Sequence, residues 1–453
     1  MTIATDPRLK VRDDDLRATA RRWLQAFDRL LSGRWWLAVV VGLAFATSIV
    51  ASAPDYSQFD PQDASWQAIE HNASHPFDQS GLDPVKDRAY NFTFRVTVPL
   101  VGGVLGLSPA GYLVLQGLSG LGLFAAAALV AQRITGSRRL AALTAISTGL
   151  MWAGACAFIE VHANFDAVAI ALLVAAMATR RPPLIALCTF LAAWTDERAI
   201  PIVAFVALYH HVAESTNLTW PRALTLPQVW GAAAGVAIHV VTRIVASSAF
   251  DIHQPSNLGA SYIKEQTSIL PVGMWTGLEG LWVFVALAGL LLWKRRAYTL
   301  DVAYLGAIAA FAVLAIGVVD VTRSMAYLLP AGLAGMAVVA RLGSHRLVRV
   351  ATYAAFTLTA LWPMYYAGCV HPLLALPAPA GAPSEPRWPV LSRPRQVARS
   401  IAIRVGDRRV VTRNGTSFVV PATQVRTASK SPVRTRSVSS WAWPSVEMRF
   451  GPS

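Results

Sequence analysis

The feature that most constrains this chain is a succession of eleven mostly apolar stretches, most of them near the length that crosses a lipid bilayer. A membrane-spanning helix needs roughly 17–25 such residues. The stretches cover residues 35–52, 109–131, 140–159, 165–179, 183–195, 198–210, 228–247, 274–293, 299–319, 322–340 and 349–368. Because backbone polar groups find no water in the bilayer core, such stretches must form helices. The expected fold class is all-α, a polytopic transmembrane helix bundle of about 11 spans.

Composition agrees with a membrane protein and limits what the net charge means. The chain is 54% hydrophobic and 14% charged, whereas soluble domains carry about 25% charged residues. Its net charge is +15, but residues 384–453 alone hold 13 Lys/Arg and three acids, about +10 of that total. We therefore infer no nucleic-acid partner. Cys156, Cys188 and Cys369 form no paired framework and are interpreted as packing residues.

The distribution of Lys and Arg predicts the orientation. Eight of them precede Trp35, which places the N-terminus in the cytoplasm, since cytoplasmic loops are enriched in these residues. The apolar region after residue 92 is broken at Ser108-Pro109. If Phe94–Leu107 lies along the outer surface and only Pro109–Ala131 crosses, the following arginines fall inside. The Ala-rich, Arg-over-Lys composition is typical of a bacterial source, so the predicted location is a bacterial inner (plasma) membrane.

Three regions follow from this orientation. Residues 1–34 form a basic cytoplasmic segment, and residues 35–370 form the transmembrane bundle with an external loop at 53–108. Residues 371–453 form a Pro-rich and then basic tail, predicted to be largely disordered. A hairpin is expected in that tail around Asn414-Gly415.

The first external loop is unusually acidic. Residues 53–92 hold seven of the 25 acidic residues of the chain. Within it Trp66, Ile69 and Ala73 are spaced three and four apart, which predicts a short amphipathic helix lying in the membrane interface. Asp63 is placed to cap the first turn of that helix.

Most other charged residues near helix ends are predicted to lie on the same external side. Ionisable groups at membrane depth are costly and tend to mark substrate paths, so their clustering indicates one external cavity. The set comprises Asp55, Asp60, Asp63, Glu160, His162, Asp166, Asp196, Glu197, Arg198, Arg243, Asp251, His253, Lys264, Asp320 and Arg323.

This arrangement resembles the GT-C superfamily of integral-membrane glycosyltransferases. The resemblance rests on the acidic first loop before a juxtamembrane helix, on the segment TFRVTVPL at 93–100, and on NFDAVAIALLVAAM opening a later span at 164–177. It covers roughly residues 30–370 as architecture. It implies that an Asp or Glu of the first external loop acts as general base and that the donor is a polyprenyl-phosphate sugar. The acceptor would be an envelope glycan, lipid or protein.

The resemblance and the charges together suggest roles. Asp60 is the preferred base, followed by Asp63 and Asp55. The cations expected to hold the donor phosphate are Arg88, Arg95, Arg198, Arg243 and Arg323, with Asp166, Asp196 and Glu197 as further substrate-binding residues. No metal ligand is assigned: the acids of Asp60-Pro-Gln-Asp63 are three apart rather than Asp-x-Asp, which leaves a divalent cation open.

Other interpretations remain. If these residues have no role in catalysis or binding, Asp60 is a solvated loop acid, Asp63 is a helix cap, and Arg243 is a side chain that extends to the membrane surface. In that case Asp196-Glu197-Arg198 is only a polar hairpin tip. For the whole protein the competing hypotheses are a secondary transporter or lipid flippase, and a non-catalytic membrane subunit of an envelope-assembly complex. Transporters usually show internal repeats, and no convincing repeat occurs here.

Overall fold

A computed structural model describes residues 7–79, 92–215, 217–252, 270–317, 320–361, 365–366, 371–372, 401–405, 408–413 and 416–421. Its helices are α1 (Pro7–Ser32), α2 (Trp36–Ser52), α3 (Ala64–Ser74), α4 (Thr97–Leu105), α5 (Pro109–Thr135), α6 (Arg138–Leu150), α7 (Trp152–Ile159), α8 (Asp166–Ala178), α9 (Pro182–Thr195), α10 (Ala199–Glu214), α11 (Trp220–Ala223), α12 (Pro227–Phe250), α13 (Leu270–Leu278), α14 (Trp282–Lys294), α15 (Tyr298–Ile316), α16 (Val321–Ala326), α17 (Leu329–Leu342) and α18 (His345–Leu361). Two single 3₁₀ turns lie at Tyr56–Gln58 and Glu279–Leu281.

The helices follow the apolar stretches of the sequence. Ten of the eleven predicted stretches coincide with one helix or with two consecutive helices. The eleventh, 349–368, extends too far, because α18 ends at Leu361 and residues 365–366 form a strand. Within the described residues, five helical segments are long and apolar enough to cross a membrane, namely α5, α12, α13–α14, α15 and α16–α17, and the pair α6–α7, bent by 55°, makes a sixth. Helices α2, α8, α9 and α10 are apolar but shorter. The helical membrane bundle is thus confirmed at the level of five to six candidate spans.

The chain breaks between α4 and α5 where the sequence predicts it. Gly106, with φ of 63°, ends α4 in the left-handed conformation that glycine adopts without strain. The Ser108 side chain then accepts a hydrogen bond from Gly111 N, and Pro109 occupies the first turn of α5, where its missing N–H costs nothing. Helix α4 packs so closely on α5 that a methyl group at Gly102 would overlap the Tyr112 ring.

The amphipathic helix of the first loop exists, but its apolar face does not point at lipid. Helix α3 begins after Asp63, whose carboxylate accepts from Ser65 N, as predicted for a cap. Trp66 and Ile69 are both fully buried. The Trp66 Nε1 donates to Val161 O at 2.9 Å. The expectation of an interface-lying helix is therefore wrong for this face, since the protein itself covers it.

The Arg-rich turns gather at one end of the bundle, which we call the basic end. Arg138 donates to Ser32 O at 2.8 Å, Arg133 donates to Ala178 O at 2.6 Å, and Arg341 donates to Val212 O at 2.7 Å. These carbonyls lie at or near helix C-termini, where cations are favourable. The opposite end, which we call the loop end, carries α3 and the start of α8. Between the ends, Val321–Leu342 is the most enclosed of the five unbent candidate spans, with 83% of its apolar window buried.

The described strands lie after residue 361. Tyr365–Tyr366 (β1) pairs with His371–Pro372 (β2). Residues 383–453 form a second compact unit, in which Ile401–Val405 (β3), Arg408–Arg413 (β4) and Thr416–Pro421 (β5) make an antiparallel sheet. Arg413 pairs with Thr416, as expected for the hairpin predicted around residues 414–415. The all-α class therefore holds for the bundle and not for this tail.

Candidate functional site

The acidic loop and the buried charges of the bundle are joined by a chain of aromatic contacts. The ring of Phe59, next to Asp60, lies 5.8 Å from that of Trp66, and Trp66 lies 6.0 Å from Phe165. Phe165 directly precedes Asp166. Asp60 and Asp166 thus each adjoin in sequence a member of one packed aromatic cluster at the same end of the bundle.

The backbone before Asp166 is held in an uncommon conformation. Ala163 and Phe165 have φ of 59° and 53°, in the left-handed region that non-glycine residues avoid at a cost of about 1–3 kcal/mol. Both side chains are buried, at 0% and 1% exposure, so packing maintains the conformation. The result is a sharp turn that starts α8 with its first residue, Asp166, inside the bundle.

Asp166 is the centre of a buried network of charges. Its Oδ1 accepts from Arg198 Nη2 at 2.6 Å and from Tyr327 Oη at 3.0 Å. Its Oδ2 accepts from Arg323 Nε at 2.6 Å. Three segments that are distant in sequence, at the starts of α8 and α10 and around α16, therefore meet on one carboxylate, which is 2% exposed.

Asp196 forms the second half of the network. It follows α9 and accepts from Arg198 Nε at 2.9 Å and from Arg198 Nη2 at 2.8 Å. Arg95 Nη2 lies 3.1 Å from Asp196 Oδ2, the oxygen that also accepts from Arg198 Nη2. Burial opposes ionisation of this carboxyl, but the charges of Arg198 and Arg95 outweigh it and hold the pKa of Asp196 below its usual range. Of the Asp196-Glu197-Arg198 tip, Asp196 is buried at 1% exposure, whereas the Glu197 side chain is 56% exposed.

The network is balanced in charge but not saturated in hydrogen bonds. Arg95, Arg198 and Arg323 face Asp166, Asp196 and Asp320, the last of which lies 3.4 Å from Arg323 Nε. The Arg323 Nη2 is buried and makes no hydrogen bond to the described part of the chain. Among the described residues, Arg198 Nη1 donates only to Ser324 Oγ, at 3.4 Å. The hydrogen-bonding capacity of these two guanidinium nitrogens is therefore not fully used within the cluster. We call Arg95, Asp166, Asp196, Arg198, Asp320, Arg323 and Tyr327 the charge cluster.

The three candidate bases differ in how their carboxylates are used. Asp55 accepts from the Ser57 hydroxyl at 2.6 Å and from Gln58 Nε2 at 3.0 Å, and the Ser57 hydrogen bond is the main reason that the pKa of Asp55 lies below its usual value. Asp63 caps α3 through Oδ1, with Ser65 N at 2.8 Å. Asp60 is exposed, and its Oδ1 accepts only from Gln62 N, at 2.9 Å. Within the described residues, Asp60 and Asp63 each leave Oδ2 without a hydrogen bond, and Asp60 is the more exposed of the two.

Glu197 and Arg243 form a separate pair beside the charge cluster. Arg243 Nη2 lies 2.9 Å from Glu197 Oε2, and its guanidinium stacks 4.1 Å above the Phe94 ring. Glu197 has a side chain that is 56% exposed. Arg243 thus contacts the segment after the acidic loop.

The structure brings together some predicted residues and not others. Arg95, Asp166, Asp196, Arg198 and Arg323 meet in the charge cluster, whereas no hydrogen bond or ion pair between described residues joins Asp55, Asp60 or Asp63 to it. Arg88, His253 and Lys264 lie outside the described residues.

Sequence reasoning missed Tyr327 and Ser324 as members of the site. Both lie in the Asp320–Tyr327 segment, where Tyr327 follows Arg323 by four residues and so shares its helix face. An Arg with a Tyr at that spacing inside an apolar stretch is the signal that was available. The sequence placed Asp320 on the external side but did not assign it to the site.

Two further observations concern metal ligands and similarity to known proteins. Among the described residues, no group of three His, Cys, Asp or Glu side chains comes together as metal ligands would. Comparison with protein-family models, with curated proteins and with solved structures finds no match to this chain.

Proposed function

We propose that this protein is an integral-membrane glycosyltransferase of the GT-C type. It moves a sugar from a polyprenyl-phosphate donor to an envelope glycan, lipid or protein on the external face of a bacterial inner membrane. In this proposal the eleven helical stretches all cross the bilayer, the N-terminus is cytoplasmic, and the loop end is external.

The observation that carries the proposal is the unsaturated charge cluster beneath an acidic loop. A phosphate requires several convergent donors, and arginine supplies them in a planar fork suited to phosphate oxygens. Arg323 Nη2 and Arg198 Nη1 offer such donors inside the bundle. The carboxylates of Asp166 and Asp196 hold these guanidinium groups in place before any ligand arrives.

The transfer itself needs a base near the loop. The acceptor hydroxyl oxygen attacks the anomeric carbon of the sugar, the bond from that carbon to the phosphate oxygen breaks, and polyprenyl phosphate leaves. The acceptor proton passes to a carboxylate, for which Asp60 is the best placed because one of its oxygens is free and exposed. Asp63 is the second candidate. General-base catalysis of this kind contributes typically about 10²–10⁴-fold.

The direct test uses the purified protein in nanodiscs, supplied with a panel of polyprenyl-phosphate hexoses and pentoses as donors and with an envelope glycan, lipid or protein as acceptor. The release of polyprenyl phosphate is measured. We expect Asp60→Asn, or Asp63→Asn if that residue is the base, to lower the rate by about 10²-fold or more. Asn at position 63 still caps α3, so a loss there reports chemistry rather than folding.

Glu70→Gln is the matched control, because Glu70 is an exposed acid of the same helix and should retain full activity. Undiminished release by the Asp60→Asn/Asp63→Asn double variant would refute the base assignment. Transfer of an intact donor between leaflets of a proteoliposome, with no release of polyprenyl phosphate, would favour the flippase hypothesis instead.

A further inference from the structure

A second polar site lies at the basic end, at the opposite end of the bundle from the charge cluster. An open cavity of about 570 Å³ is lined by the end of α1, the α5–α6 turn, the end of α17 and the first turns of α18. Its ionisable lining is strongly biased: Arg138, Arg139, Arg349 and His345 face it, and Asp28 is the acid among its lining residues.

Two of these arginines are fixed in place. Arg138 Nη1 donates to Ser32 O at 2.8 Å and to Leu31 O at 3.0 Å, and its guanidinium lies 5.4 Å from the Trp36 ring. Arg139 makes a forked ion pair with Asp28. Because these side chains are already ordered, a ligand would not have to pay for immobilising them.

Arg349 is different, because it is uncommitted. Its side chain is exposed, and it makes no hydrogen bond or ion pair with the part of the chain that the structure describes. Subtracting Asp28 from the three arginines leaves two positive charges at the cavity before His345 is counted. Unlike the charge cluster, this cavity is therefore not balanced by its own carboxylates.

Helix ends of both polarities line the cavity. The first turns of α6 and α18, which begin at Arg138 and His345, would favour an anion. The last turns of α1, α5 and α17 also line it and favour cations. The positive bias of the cavity therefore comes from its arginine side chains.

We propose that this cavity binds a phosphate-bearing anion, either the phosphate of an anionic lipid headgroup or that of a soluble phosphate ester. The volume lies within the range of about 300–1,000 Å³ usual for small-molecule sites. Trp35, next in sequence to the Trp36 ring that Arg138 contacts, is exposed. Exposed tryptophans of this kind are typical of a membrane interface, where lipid headgroups lie. The site is independent of glycosyl transfer at the loop end.

The test compares Arg349→Gln with Arg346→Gln in the full-length protein. Both arginines are exposed on α18, but only Arg349 lines the cavity, so the second variant controls for loss of one positive charge. One arm measures, by native mass spectrometry, retention of phosphatidylglycerol and of phosphatidylcholine after extraction from mixed nanodiscs. The other arm measures binding of inorganic phosphate and glycerol 3-phosphate to delipidated protein in detergent.

We expect the wild type and Arg346→Gln to bind phosphate in at least one arm, and Arg349→Gln to bind about tenfold more weakly. Retention of phosphatidylglycerol alone identifies a lipid headgroup as the ligand, whereas binding in the soluble arm identifies a phosphate ester. No preference for phosphatidylglycerol over phosphatidylcholine together with no soluble binding would overturn the proposal. Equal binding by the two variants would overturn it as well.

Discussion

Removing the charge of Asp166 tests whether the charge cluster is held together as one unit. In Asp166→Asn the side chain keeps its shape but no longer neutralises Arg198 and Arg323, whose nitrogens each lie 2.6 Å from its oxygens. Both arginines are largely buried, with side chains 18% and 11% exposed. Two cations then share the interior with one carboxylate fewer.

The expected cost follows from these contacts. Hydrogen bonds to charged groups contribute about 1.5–3 kcal/mol each, and the Asp166 carboxylate accepts three of them, from Arg198, Arg323 and Tyr327. The Asn side chain can still accept some of these bonds, so only part of that contribution is lost. Breaking a buried ion pair by removing one partner costs about 3–5 kcal/mol, because the other charge is left uncompensated. We therefore expect Asp166→Asn to lower the free energy of unfolding by about 3–5 kcal/mol.

The assay is unfolding in mixed micelles, followed by tryptophan fluorescence, for Asp166→Asn, Arg323→Gln and the double variant. Because the two residues contact each other, the double variant should lose about 1–3 kcal/mol less than the sum of the single losses. Glu160→Gln is the control: from the described residues the Glu160 side chain accepts only the His162 N–H, at 2.9 Å, so the loss of stability should stay under about 1 kcal/mol. A loss of that small size for Asp166→Asn, or simple additivity, would refute the idea of a coupled network.

Three further predictions concern other parts of the structure. The pKa of Asp196 is lower in the folded protein than in the unfolded chain, so its ionisation stabilises the fold above about pH 4, and this stabilisation is lost as the pH falls further. The free energy of unfolding should therefore decrease more steeply from pH 6 to pH 3 in the wild type than in Asp196→Asn. Parallel curves for the two proteins would contradict this. Gly102→Ala should destabilise the contact between α4 and α5 by about 1–3 kcal/mol, since the new methyl group overlaps the Tyr112 ring. If the segment between α4 and α5 stays as resistant to proteolysis as in the wild type, this prediction is wrong. In intact cells a membrane-impermeant maleimide should label Gln67→Cys but not Ser137→Cys, and external labelling at position 137 would refute the orientation.

The sequence predicted the helices well because lipid imposes a simple rule on them. Apolar length alone located the stretches that became α5 and α12, and the positive-inside tendency correctly grouped the arginines that meet at the basic end. The break before Pro109 also followed from local chemistry, since Ser108 and Gly106 are strong boundary residues. These features depend on short-range patterns, which a single sequence contains.

Contacts between distant segments were not predictable in the same way. The apolar stripe of α3 was correctly identified, yet periodicity does not say what covers a face, and Trp66 turned out to pack on Phe165 rather than on lipid. Likewise the sequence named Asp166, Arg198 and Arg323 as lying on one side, but their mutual pairing across 32 and 157 positions depends on how the helices are arranged. The choice among Asp55, Asp60 and Asp63 stays a prediction.

The most direct test of the proposed site is the lipid that purifies with the protein. Arg323→Lys keeps the charge that balances Asp166 but removes the free guanidinium nitrogen, so it separates phosphate binding from folding. Mass spectrometry of the wild type and of Arg346→Gln should find a polyprenyl phosphate or its sugar derivative, at least about tenfold depleted in well-folded Arg323→Lys. Absence of any polyprenyl-phosphate species from the wild type, or equal retention in all three proteins, would contradict a phosphate-binding charge cluster.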